Sequence, residues 1–260
     1  MVFPSPTGSL WMDSSQPVRP KPERPRRRGC RLPGQVKIAS SRRRVRQERL
    51  TAVRAREPKV AFNAVFLNIP YDEKFRRLYL AYISGLVHLG LQPRATLEIS
   101  GAENRLDKIV TLIQSCRYSI HDLSWVKLDG PPPRTPRFNM PFELGLAMAI
   151  ERIDRAQRKS FVFEAVNRRL AKSLSDLSGI DPHIHDRAIE GVMRELGNAF
   201  VRRVSYRRLS VPAMMKTYRA VLRSIPEIDR QTGSTDLFRA RPFRLLCIAA
   251  GKAAGVGASR

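Results

Sequence analysis

Four runs between residues 103 and 165 decide the fold: ENRLDKIVTLI (103–113), RYSIHDL (117–123), NMPFELGLAMAIERI (139–153) and SFVFEA (160–165). In the first, Leu106, Ile109, Val110 and Ile113 recur at helical spacing behind Asn104 or Glu103 as the opening residue. The second and fourth are short, apolar and bounded by polar or turn residues, as buried strands are. The third repeats the helical pattern through Phe142, Leu146, Ala149, Ile150 and Ile153, with Asn139 or Met140 at its cap. The loop at 124–138 holds four prolines and is too stiff to enter a central sheet.

The same alternation extends outward. Residues 61–69 (AFNAVFLNI) read as a first buried strand broken by Pro70, and Asp72 caps a helix carrying Phe75, Leu78, Tyr79, Tyr82, Ile83, Leu86 and Leu89 before Gly90. Residues 92–99 read as a second strand. Downstream, a helix over 170–177, a short segment near His183 and a helix over 187–200 complete a unit spanning 59–200. Strands alternating with helices imply right-handed crossovers and a mainly parallel sheet of about five strands, covered on both faces: an α/β three-layer sandwich. Helical spacing at 214–225 predicts a helical extension over 201–230. The small residues near the end make 231–260 read as a disordered tail.

Charge is uneven. The formal net charge of +25 divides into +12 over residues 1–60, +3 over 61–200 and +10 over 201–260. Residues 1–58 are rich in Pro, Arg and Ser and bury too little apolar surface to offset chain entropy, so they read as a disordered basic extension. Such ends attract polyanions, including nucleic acid, without sequence preference. Cys30, Cys116 and Cys247 are scattered and odd in number, which suits a reduced, cytoplasmic protein and no disulfide framework or zinc cluster. No apolar run reaches the roughly 18 residues of a membrane helix, so no membrane partner is expected.

In open parallel sheets, ligands bind beyond the carboxyl ends of the strands at a switch in strand order. That rule gathers Asn68, Pro70, Tyr71, Glu98, Asp122, Ser124 and Asn139, with Glu143 just inside its helix, on one rim. A carboxylate in the first turn of a helix faces free N–H groups and the positive end of the dipole, which favour its ionised form. In that form it can attack, or stabilise, a sugar C1′ as its base departs. The same position equally suits an acid that only helps start a helix. Asp122 is placed to accept ribose hydroxyls, or to cap the next loop with Ser124. Asn68 and Tyr71 flank a turn able to present N–H groups to a phosphate. Glu98 and Arg105 are within reach of the pocket or simply solvated. No Walker or GxGxxG run is present. His183-x-His185 lacks a partner for a metal, so no metal is expected.

These residues resemble a bacterial group within the superfamily that joins Toll/interleukin-receptor (TIR) domains and nucleoside 2-deoxyribosyltransferases. The likeness runs through VFLNIPYD (65–72), RLDKI (105–109), CRYSIHDLS (116–124) and RFNMPFELGLA (137–147). It implies a flavodoxin-like, TIR-like sheet with a catalytic glutamate opening the helix after strand three, the position of Glu143. It implies Asp122 near the sugar and a nucleotide ligand such as NAD, as substrate rather than cofactor. A homo-oligomer is compatible with it. The function implied is N-glycosidic cleavage of NAD or a related nucleotide in bacterial defence or signalling, or else a nucleotide-sensing or protein-interaction module without catalysis. The chain departs from both parents: it lacks the Ser/Asp opening of TIR domains and the Asp-Gly-x-x-x-Asp-x-Gly loop of the transferases.

Overall fold

Strand β1 (Ala61–Asn68) is an inner strand of a five-stranded, all-parallel sheet. Beside it run β2 (Gln92–Arg94) and β3 (Cys116–Asp122). Past β3 come β6 (Lys159–Glu164) and β7 (His183–Ile184), giving the order β2-β1-β3-β6-β7. This is the flavodoxin-like order, and it reverses direction between β1 and β3. The computed structural model describes residues 59–256 except 102, 126, 127, 130, 131, 137 and 178, all within one unit, Arg56–Arg260. The reading of residues 1–58 lies outside the described residues.

Helices cover both faces. On one lie α1 (Arg76–His88), α5 (Ile189–Phe200), α6 (Val211–Thr232) and α7 (Ala240–Ala254). On the other lie α2 (Arg105–Ser115), α3 (Asn139–Ile153) and the short α4 (Arg169–Ser173). Strand alternation sorts the core. Val65, Leu67, Tyr118, Ile120, Phe161 and Phe163 face the first layer, while Ala64 and Phe66 meet Ile109, Leu112 and Ile113 of α2 on the second.

Two sequence expectations are corrected. The second strand is only Gln92–Arg94, because Glu98 turns back to cap a 3-10 turn over Thr96–Glu98. The Pro-rich loop stays out of the main sheet, as its prolines predict, and carries a two-residue antiparallel ladder of its own, β4 (Leu128–Asp129) with β5 (Thr135–Pro136). Residues 231–260 are not a disordered tail over their described part. Phe243, Leu246 and Ala250 recur at helical spacing, so α7 buries them in the main core, and the Tyr79 hydroxyl donates to the Leu237 carbonyl at 3.1 Å. The composition hid an apolar stripe of only three residues.

Two glycines in α5 have opposite constraints. A Cβ on Gly191 would lie 2.1 Å from the His185 carbonyl oxygen, whereas one on Gly197 would meet only the Leu209 carbonyl, at 3.8 Å. Gly191→Ala should therefore destabilise the protein by about 3 kcal/mol, an overpacking cost against backbone. Gly197→Ala should stabilise it by about 0.5–1 kcal/mol by restricting the unfolded chain. Urea unfolding of the two variants reads both signs, and equal effects would contradict the packing described.

Candidate functional site

The ends of β1 and β3 meet where strand order reverses, and a single amide joins them to α3. Asn68, at the end of β1, is 4 % exposed. Its Nδ2 donates to the Met140 carbonyl at 2.9 Å and also lies 2.9 Å from His121 Nδ1. An amide nitrogen carries two hydrogens, so the second bond makes Nδ1 the acceptor and puts the imidazole proton on Nε2. That Nε2 has no partner among the described residues, and burial holds the His121 pKa down at about 3. His121 is thus a neutral core histidine turned toward the α2/α3 layer, as its place in the strand predicts.

Through Met140, this bond sets the start of α3 and so the position of Glu143. Here the structure corrects the sequence reading. The helix begins at Asn139 with Phe138 as its cap residue, and Phe142 N–H already bonds to the Phe138 carbonyl at 2.9 Å. Glu143 therefore lies at the fifth helical position, beyond the free N–H groups, and neither a cap nor the dipole holds it ionised. The side chain is half-buried, and no hydrogen bond is made to its carboxylate among the described residues. Burial raises its pKa to about 7, against the opposing pull of Arg105 at the start of α2.

Asp122, the next residue along β3 from His121, points to the opposite face. It is fully buried and its carboxylate is occupied. Tyr82 Oη of α1 donates to Oδ2 at 2.8 Å, and Ser124 N–H donates to Oδ1 at 2.8 Å. His185 Nε2 approaches Oδ2 at 3.1 Å, at an oblique angle for a hydrogen bond. The Arg187 N–H donates to His185 Nδ1 at 3.1 Å, which leaves the Nε2 proton facing the carboxylate. Burial alone would raise the Asp122 pKa, but the His185 and Ser124 contacts outweigh it and hold the carboxyl below its usual range. In this arrangement Asp122 is a closed internal anchor and presents no oxygen to a ribose.

The remaining rim residues separate. Tyr71 is half-buried, its ring against Tyr79 and Phe238 and its hydroxyl donating to the Leu67 carbonyl at 3.1 Å. Burial raises its phenol pKa, with the Glu143 and Glu98 carboxylates nearby adding to the rise. Pro70 is buried beneath it. Glu98 accepts from Ala95 N–H at 2.8 Å and pairs with Arg94 at 2.9 Å, so it serves the local turn. Ser124 is 1 % exposed with its Oγ unpartnered among the described residues, while Asn139 is exposed. His183 and His185 diverge, His183 to Glu195 at 3.2 Å and His185 to Asp122. Among the described residues no His, Cys, Asp and Glu are grouped to hold a metal.

Two participants were missed in the sequence. Tyr82 reads only as part of the apolar stripe of α1, yet its hydroxyl reaches the sheet edge. Glu164, 2 % exposed at the end of β6, accepts from Ala165 N–H at 2.6 Å and pairs with Arg169 at 2.9 Å. The available signal is an acid that follows directly on the apolar run Phe161–Phe163.

Comparison of the chain with family models, curated proteins and solved structures found no match. Among the described residues no helix is long and apolar enough to cross a membrane.

The raised pKa of Glu143 has a stability consequence. Between about 4.5 and 7 the folded state binds more protons at this site than the unfolded chain, so its contribution falls as pH rises through that window. Glu143→Gln should melt close to the parent at pH 4 and above it at pH 8, by at most about 3 kcal/mol. A parent more stable than the variant at pH 8 would mean that Glu143 is held by partners instead of lying open.

Proposed function

We propose that the protein cleaves the N-glycosidic bond of a nucleotide, with NAD the substrate that best suits the site. The observation that carries this reading is Glu143: a half-buried carboxylate with no hydrogen-bond partner among the described residues, on the helix over the switch point, with a pKa near 7. Among the described residues the two fully buried acids, Asp122 and Glu164, are both bonded. An acid left open at such an edge at the cost of its own desolvation suits chemistry.

The ionised Glu143 oxygen attacks C1′, or stabilises positive charge there, as the C1′–N bond breaks. The bonding pair leaves with the base. In the attacking route, water then cleaves the glycosyl ester, releasing the ribose product and restoring the carboxylate. The leaving group is the argument for NAD. Nicotinamide is cationic while attached, departs neutral and needs no proton. Among the described residues no second group near Glu143 is poised to supply one, since His121 is neutral and enclosed and the Tyr71 hydroxyl is given to Leu67. A neutral purine would need a general acid.

A second reading is a nucleotide-binding module without turnover, and one observation favours it: Asp122 is sequestered, so the ribose lacks the acid that the TIR/deoxyribosyltransferase resemblance would supply. The test is incubation of the full chain with NAD at high protein concentration, following nicotinamide by chromatography. The parent should release it at a rate rising with pH through about 7, as Glu143 ionises. Glu143→Gln should fold and lose at least about a hundredfold in rate. Retained turnover in that variant would overturn the assignment of Glu143. Thermal stabilisation by NAD without turnover in the parent would establish the binding module instead.

A further inference from the structure

A cavity of about 490 Å³ opens at the amino ends of β3 and β6, the sheet edge opposite Glu143. The length of β3 separates the two edges by roughly 20 Å. Six cationic side chains line the cavity, Arg117, Arg152, Arg155, Arg158, Lys159 and Arg203, against a single carboxylate, Glu151. Two of the six are committed. Lys159 pairs with Glu151 at 3.2 Å, and Arg158 pairs with Asp154 at 3.5 Å and donates to the Gln114 and Cys116 carbonyls.

The other four have no carboxylate partner among the described residues. Arg117 stacks over the Phe62 and Tyr118 rings at 5.1 and 5.5 Å, and Arg203 over Tyr118 and Phe161 at 5.8 and 5.6 Å. Stacking holds the guanidinium planes while leaving their N–H edges free. Arg152 stands in the last turn of α3 and Arg155 just past its end, both exposed. Four unneutralised guanidinium groups around one concavity repel each other until an anion enters. The floor between them is apolar, from Met148, Val162 and Ile180.

We propose that this cavity binds a small, multiply phosphorylated anion of the nucleoside di- or triphosphate class. The guanidinium edges take the phosphates in forked hydrogen bonds, and the apolar floor takes the base or sugar. The volume falls within the roughly 300–1,000 Å³ of small-molecule sites. A nucleic-acid strand would call for a continuous basic track; here the charges converge on one hollow. This site is independent of Glu143.

The test is calorimetric titration of the full chain with ATP and, separately, with inorganic triphosphate, beside the Arg152→Glu/Arg155→Glu double variant. Both positions are exposed, so the variant should melt with the parent, and residues 1–58 contribute equally to the two proteins. The variant should bind both anions about tenfold or more weakly. Triphosphate should compete with ATP, and Glu143→Gln should bind as the parent does. Hydrogen-exchange protection by ATP should fall on residues 148–160 and 203. Equal affinity in parent and double variant, or protection confined to residues 68–71 and 139–145, would overturn the proposal. So would a single-stranded oligonucleotide that binds the parent and not the variant while neither small anion binds.

Discussion

The fully buried Asp122 carboxylate is the interaction on which the carboxyl edge of the sheet depends. A bare carboxylate in a protein interior costs several kcal/mol in lost hydration, so the fold must deliver donors to it. Two elements donate to it, the Tyr82 hydroxyl of α1 and the Ser124 amide of its own loop, and a third, the His185 ring beyond β7, lies 3.1 Å from it. This sets the height of α1 along the sheet and fixes where the last strand stops. Loss of any one partner would strand charge in the core, so the three elements are constrained together.

Strand alternation divides labour between neighbours. Asp122 faces the α1 layer and closes it, whereas His121 faces the α2/α3 layer and, through Asn68, sets the start of α3. That second chain of contacts holds Glu143 without touching it. The result is an edge that is rigid and bonded on one face and carries an open, costly acid on the other. The scaffold at this edge is thus stabilised by contacts that do not involve Glu143.

The architecture was legible because it rests on periodicity. Apolar runs in β1, β3 and β6 and helical stripes in α1, α2, α5 and α6 are local patterns that tertiary packing reinforces. The errors arose where the outcome was set by contacts distant in sequence. Glu98 ended β2 early by capping its own turn, and α7 was overlooked because three apolar residues suffice when a core is already waiting. The site was legible as a place and less so as chemistry. Position on the rim put Asn68, Asp122 and Glu143 together. Which acid is open and which closed depends on Tyr82 and His185, 40 and 63 residues away from Asp122 along the chain. The cavity at the amino edge had no sequence motif, since its arginines come from β3, α3, the segment between α3 and β6, and the segment after α5.

Helix α7 has a consequence for how the chain acquires its structure. Phe243, Leu246 and Ala250 complete the same core as Tyr79 and Leu86, which were synthesised about 160 residues earlier. Such distant closure raises the mean sequence separation of native contacts and slows folding. While α7 is still in the ribosome, α1 and α6 hold an uncovered apolar groove. The nascent domain therefore stays partly exposed until α7 has left the ribosome, and this interval is when it is most open to aggregation or to capture by a chaperone.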